Sequence, residues 1–218
     1  MSDHGRSRER RLPEQDSTRR RDPGFTMVEV LISLVIGMVV LAALYAVFTI
    51  QNKNFAKQEQ IGEMQQIARS AMDSMAREIT MAGYDPNKSL PTPAPANAAI
   101  TAASATSLSF TSDLNANSTL IDATDTNERV TYAFDSADYQ ITRKTGDGNP
   151  QPFAENIQGL TFTYYDAAGA VPATPADIRR IQISITVRTA KPDPAYTANN
   201  GYRTYTLTSF VTPRNLSM

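Results

Sequence analysis

The group in this sequence most able to do chemistry is the carboxylate of Glu29, the single charged side chain in the apolar run of residues 25–50. A carboxylate held in lipid costs roughly 3 kcal/mol or more, so such a residue needs a cationic partner or a position near the headgroups. Pairing with a cation is the favoured interpretation. Gly24, just before the run, has no side chain and leaves the backbone open to close approach.

Few other residues offer catalytic chemistry. The chain has no Cys, and its single histidine is His4. Disulfides, thiolate metal sites and thiol nucleophiles are therefore excluded, and a chain that loses His4 also loses the commonest general base. An enzyme built on carboxylates stays open, but no pair of nucleophile and base is recognisable. We predict no catalytic residue, no metal and no other cofactor.

Two acidic stretches could bind a cation, and each has a simpler interpretation. Asp122, Asp125 and Glu128 carry the oxygen ligands that calcium prefers, but their spacing is not that of an EF-hand loop. A solvated loop is therefore favoured. The tripeptide Asp147-Gly148-Asn149 is favoured as a turn rather than as a ligand.

Three arginines could contact an acidic partner or DNA: Arg179, Arg180 and Arg188. Arginines on a strand more often prevent unwanted pairing at a sheet edge, which is the interpretation preferred here. The formal net charge of −1 gives no general attraction to nucleic acid, and none is predicted as a partner.

The first two segments of the chain resemble a leader and a membrane anchor. Residues 1–24 are polar, rich in arginine and without apolar periodicity, which indicates a disordered leader. Residues 25–50 are long enough to span a bilayer as a helix, which needs roughly 20 apolar residues. The arginines on the N-terminal side predict a cytoplasmic N-terminus and an exported C-terminal part.

The helical pattern continues over residues 51–83 with one polar face. Its apolar residues recur at steps of three and four and form one stripe, which predicts packing on a globular head: Ile61, Met64, Ala68, Met72, Met75, Ile79 and Ala82. Gly83 and Pro86 predict the end of the helix. A helix over residues 25–82 would be about 87 Å long at about 1.5 Å per residue. Such an element suits a subunit that is anchored in lipid and carries a head.

The rest of the sequence predicts an antiparallel β head over residues 108–218. Residues 84–107 are rich in Pro, Ala and Ser and indicate an extended connector. Residues alternate between apolar and polar in six candidate strands, at 108–114, 129–134, 139–144, 160–165, 178–189 and 203–211. The turn cluster at residues 145–150 predicts a hairpin between the strands on either side. The fold class is therefore α+β.

The string Gly24-Phe25-Thr26-Met27-Val28-Glu29-Val30-Leu31-Ile32 resembles the class III signal of type IV prepilins and type II secretion pseudopilins. In that family a prepilin peptidase cuts after the glycine and methylates the new N-terminal residue, here Phe25. The family's glutamate at the fifth mature position is here Glu29. Residues 77–86, 155–166 and 207–216 are more loosely similar to PilW-type minor pilins and to the related J-type pseudopilins.

The resemblance implies the type IV pilin fold, with a long N-terminal helix packed on an antiparallel sheet, and a structural subunit that is not an enzyme. It implies a minor pilin with a single pass through the inner membrane and a periplasmic head. This subunit would join other minor and major pilins in pilus priming, assembly or a tip complex. There Glu29 would pair with the Phe25 amine of a neighbouring subunit.

The sequence departs from the family pattern in three ways. The leader of 24 residues is longer than usual, the apolar segment has no proline, and no disulfide closes a C-terminal loop. The missing disulfide argues against a major fibre subunit. Two alternatives stay open, a J-type pseudopilin of a type II secretion system and a membrane-anchored periplasmic binding module that does not assemble. An ordinary anchor has no need of Glu29, which disfavours the second.

Overall fold

A computed structural model describes residues 24–87, 99–117 and 127–216. The predicted leader, apart from Gly24, lies outside these residues. One helix, α1, runs from Met27–Thr80 and includes Gly37 and Gly62 without interruption. The chain divides into two units between Gln51 and Asn52. The N-terminal part of α1 contains a stretch that is long and apolar enough to cross a membrane.

The unit that begins at Asn52 contains eight strands within the described residues: β1 Ile100–Ala103, β2 Ser107–Thr111, β3 Arg129–Asp135, β4 Gln140–Thr145, β5 Gln151–Ala154, β6 Ile157–Tyr165, β7 Arg180–Arg188 and β8 Thr204–Val211. Strands β1 to β5 form one antiparallel sheet in chain order, and β6 to β8 form a second. The predicted α+β class, with one long N-terminal helix and antiparallel sheets, is confirmed.

The core of this unit forms where the apolar stripe of α1 meets both sheets. Every stripe residue predicted from the sequence is buried except Ile61, which is partly buried. Strand β7 supplies the clearest alternation, because its residues from Ile181 to Val187 point alternately into the core and away from it. One helix face and one face of each sheet thus bury one another, which removes these three apolar faces from water.

Three residues after the end of α1 the chain takes a left-handed conformation, at the glycine that the sequence predicts to stop the helix. Gly83 has φ +75, and its N–H donates to Thr111 O at 2.8 Å. A Cβ at this position would lie 3.0 Å from the Ala99 side chain. Glycine is therefore required both by the backbone conformation and by the close approach of the segment before β1.

Glu78 joins the helix to the five-stranded sheet through its side chain. Its Oε2 accepts hydrogen bonds from Tyr132 Oη at 2.9 Å and from Arg143 Nε at 3.1 Å. Burial, reinforced by the charge of Glu78, raises the pKa of Tyr132 well above its ordinary value, so the phenol stays a donor. The contact fixes the rotation of α1 relative to β3 and β4.

Two strands were missed by the sequence analysis, and the single predicted sheet is two. Strands β1 and β5 have four residues each and compositions, ITAA and QPFA, that give little β signal. Both lie at edges of the five-stranded sheet, where Pro152 is tolerated. The hairpin across residues 145–150 is present, but it joins β4 to β5 and not to the strand at 160–165. Strand β1 lies within residues 84–107, which were predicted to be an extended connector.

The core predicts different effects for two methionines near the end of α1. Met75 is 0% exposed, whereas Met81 is 40% exposed. We expect Met75→Ala to lower the free energy of unfolding by roughly 2–5 kcal/mol, because truncation leaves a cavity. Met81→Ala is the matched control and should change it by less than about 1 kcal/mol. Thermal melts of the full chain in mild detergent measure both, and equal melting temperatures would contradict the described core.

Candidate functional site: the start of the apolar helix

Residues 25–50 present an apolar surface that nothing else in the described chain covers. These residues are exposed apart from Gly37 and Thr49, which are partly exposed, and Phe25 is 86% exposed. Glu29 is the only charge among them. Apolar surface of this extent is not stable in water, so the segment requires lipid or other apolar helices around it.

Thr26 and Glu29 form a reciprocal capping box at the start of α1. The Thr26 N–H and its Oγ1 hydroxyl both donate to Glu29 Oε2, at 3.0 Å and 3.1 Å. The Glu29 N–H donates to Thr26 Oγ1 at 3.2 Å. Val30 N then donates to Thr26 O, at 3.2 Å. The box satisfies backbone donors that a helix start leaves free, and it holds Glu29 at the positive end of the helix dipole.

The three residues predicted as the processing and assembly site lie within this short region. A Cβ at Gly24 would meet nothing within 4 Å, so the backbone of the Gly24-Phe25 junction is open to approach. Phe25 separates the junction from the capping residue Thr26. Both hydrogen bonds that Thr26 donates go to Glu29 Oε2. In the described part of the chain, Glu29 Oε1 accepts no hydrogen bond.

Thr26 is the residue of this region that the sequence analysis missed. The signal was present, because Thr26-Met27-Val28-Glu29 has the spacing of a capping box before an apolar run. The charge of Glu29 predicted a partner in a neighbouring subunit, whereas the local role of its carboxylate was not predicted. In the described chain this carboxylate caps its own helix.

The arginines of β7 do not protect a sheet edge, so that interpretation is wrong. Strand β7 is the central strand of its sheet. Arg180 instead lies over the rings of Tyr165 and Phe210, with its guanidinium carbon 5.0 Å and 5.1 Å from their centroids. Such stacking on aromatic faces suits the planar guanidinium.

Arg188, at the other end of β7, lies over two further rings. Its guanidinium carbon is 3.6 Å from the ring centroid of Tyr139 and 4.5 Å from that of Tyr202. Arg179 is held by carbonyls, since its Nη1 donates to Ala176 O at 2.6 Å and to Ile178 O at 3.0 Å. All three arginines therefore have contacts within their own unit.

The structure agrees with the prediction for one acidic stretch and disagrees with part of the prediction for the other. Asp147 lies in a turn, as predicted, and its carboxylate pairs with Arg129. Asp122 and Asp125 lie outside the described residues. Glu128 is 1% exposed, so the expectation of a solvated loop is wrong for this residue.

One of three comparisons with known proteins matches the start of the chain. Residues 19–45 match the model of the prokaryotic N-terminal methylation motif. A search of curated proteins finds no match to the chain. Among solved structures, the chain is similar to a type IV-like pilin from Thermus thermophilus, at 12% identity and a TM-score of 0.42, over 70% of this chain and 98% of that one. At this TM-score the likeness does not by itself establish a shared fold.

A methylation motif at the start of a long apolar helix, in a chain whose other elements are antiparallel sheets, fits a type IV pilin-like protein. Such a protein is a structural subunit and not an enzyme. The resemblance drawn from the sequence is confirmed at this level.

The capping box predicts that Thr26→Val loosens the first turn of α1. Loss of an N-cap hydroxyl costs about 1 kcal/mol, which corresponds to roughly fivefold faster exchange of the amide hydrogens there. Thr26→Ser keeps the hydroxyl and should exchange as the wild type does. Hydrogen–deuterium exchange of the full chain in detergent micelles measures this. Equal exchange in all three proteins would contradict a capping role.

Proposed function

We propose that this protein is a minor pilin of the PilW type, cut by prepilin peptidase after Gly24, methylated on Phe25, and incorporated into a type IV pilus. The observation that carries the proposal is the placement of one carboxylate, Glu29, at the start of an otherwise apolar and exposed helix segment. The methylation motif over residues 19–45 supports it.

The exposed apolar segment fits two apolar environments, one before assembly and one after it. Before assembly, lipid of the inner membrane would cover residues 25–50, with the N-terminus in the cytoplasm and the head in the periplasm. After assembly, the same surface would pack against the equivalent helices of other minor and major pilins.

Cleavage would supply the cation that Glu29 needs. Removal of the leader leaves a free amine on Phe25, at a helix end that already carries about half a positive charge. Glu29 Oε2 is occupied by Thr26, whereas Oε1 is open to a further donor. The amine of a neighbouring subunit could bind there, which would neutralise the carboxylate and fix the axial position of the two subunits.

The second candidate, a J-type pseudopilin of a type II secretion system, uses the same N-terminal chemistry. The absence of Cys favours a minor over a major subunit of a type IV pilus. Purification from native membranes, followed by identification of the other pilins that accompany the chain, separates the two. A non-assembling periplasmic binding module would co-purify with no pilins at all.

Processing gives a direct test. Mass spectrometry of the protein from its native membrane should find residues 25–218 with a methylated Phe25. Gly24→Leu should block cleavage, because a bulky side chain obstructs the approach of the peptidase to the backbone. An intact Met1 N-terminus in cells with active prepilin peptidase would contradict the proposal.

A second test separates cleavage from assembly. Glu29→Ala should leave cleavage after Gly24 nearly unchanged, since the junction and leader are intact. Its amount in sheared fibres should fall at least about tenfold, because a neighbour's Phe25 amine loses its partner in an apolar filament core.

The matched control is Ser33→Ala, which removes a polar group from the same segment without removing a charge. It should be cleaved and incorporated as the wild type is. Immunoblots of membrane and sheared-fibre fractions measure both steps. Equal incorporation of the Glu29 and Ser33 variants would show that the carboxylate has no pairing role.

A further inference from the structure

A cleft of about 590 Å³ lies at one end of the three-stranded sheet. Its walls come from the turn after β6, the start of β7 and the chain that follows β8. These segments meet because β7 runs antiparallel to both of its neighbours, with Tyr165 opposite Arg180 and Val211 opposite Ile181. A cleft of this volume is of the size that binds a molecule rather than a single ion.

Three arginines line the cleft: Arg179, Arg180 and Arg214. None of them forms an ion pair in the described part of the chain, where the ion pairs involve other residues. Asp166 is the one acid among the described residues that line the cleft, and its Oδ1 accepts a hydrogen bond from the Ala170 N–H of its own turn at 2.8 Å. Because a guanidinium stays charged in proteins, the cleft has an excess of positive charge that a bound anion would balance.

The contacts of the three arginines leave N–H donors unused. Arg179 donates from Nη1 to two carbonyl oxygens, while its buried Nε has no partner in the described chain. Arg180 lies over the rings of Tyr165 and Phe210, and it donates no hydrogen bond to an oxygen of the described residues. The side chain of Arg214 is exposed and makes no hydrogen bond there either. Donors of Arg180 and Arg214 are therefore free to bind an oxyanion, which suits the forked geometry of the guanidinium.

The backbone around the cleft is held in place without a ligand. Arg214 N donates to Thr80 O at 3.2 Å, and Asn215 Nδ2 donates to two carbonyl oxygens just after α1, each at 3.4 Å. The turn after β6 is closed by Asp166 N, which donates to Ala170 O at 2.9 Å. Less conformational entropy is then lost when a ligand binds.

We propose that this cleft binds an acidic peptide segment of a partner protein, with a carboxylate of the partner held by Arg180 and Arg214. The lining also includes Pro213 and Leu216, whose apolar groups suit the hydrocarbon part of a peptide and offer nothing to a free phosphate ion. Nucleic acid needs basic side chains spread along the path of successive phosphates, whereas these arginines share one cleft. The inference concerns this end of the sheet and does not depend on the proposed role in a pilus.

The test is fluorescence anisotropy of a labelled peptide of alternating glutamate and alanine, titrated with the full chain in a neutral detergent. Saturable binding is expected, and a peptide with glutamine in place of glutamate should not bind. Arg214→Gln should weaken binding about tenfold or more, as expected for the loss of a charge-assisted hydrogen bond. Arg69→Gln removes the same charge from an exposed position of α1 outside the cleft, and it should bind the peptide as the wild type does.

The comparison of the two peptides on the wild-type chain decides the question even where Arg214→Gln does not fold. Equal binding of both peptides, or no saturable binding of the acidic one, overturns the proposal. Equal affinities of the Arg214 and Arg69 variants overturn it as well. Displacement of the peptide by inorganic phosphate at the same concentration as its carboxylates would indicate a site for small anions instead. A DNA duplex that binds more tightly than the peptide, and is lost with Arg214→Gln, would indicate a nucleic-acid site and likewise overturn the proposal.

Discussion

One helix with two kinds of surface is the constraint on which the rest of this structure depends. The N-terminal part of α1 is apolar on every side, whereas its C-terminal part is apolar along one stripe that ends at Ile79. The stripe gives both sheets a common surface to bury, and it sets which face of each strand is apolar. The side chains of residues 25–50 have no comparable partner in the described chain and need an apolar environment from outside.

The capping role of Glu29 is compatible with its proposed pairing role, because a carboxylate has two oxygens. One oxygen caps the first turn of the chain's own helix through Thr26. The other is open to the amine of a neighbouring subunit in the proposed fibre. Capping also limits the freedom of the side chain, so less entropy would be lost when the partner binds.

Much of this architecture was predictable because its strongest signals are periodic. The stripe of α1 and the alternation of β7 each repeat over several turns or residue pairs, and both were assigned correctly. Strands β1 and β5 were missed because four residues cannot establish a period, and their pairing with neighbours decides their conformation. The split into two sheets depends on tertiary pairing that no local pattern encodes.

The site was predictable to a similar degree. The junction and the lone acid stood out by residue type, whereas the tie between Thr26 and Glu29 needed the geometry of the helix start. The arginines of β7 were misjudged because their role depends on strand order, which made β7 central. The burial of Glu128 depends on a turn more than ten residues away in sequence, so the local composition could not indicate it.

The position of the capping box bears on how a subunit matures. Both of its members lie on the C-terminal side of the Gly24-Phe25 bond, and the first helical turn is already closed while the leader is attached. In the proposed maturation, cutting the leader would exchange a neutral peptide group for an ammonium without requiring any residue of α1 to refold. Maturation at this point would alter the electrostatics of the helix end while its conformation is kept, so that a subunit becomes competent for assembly by gaining a charge and not by changing shape.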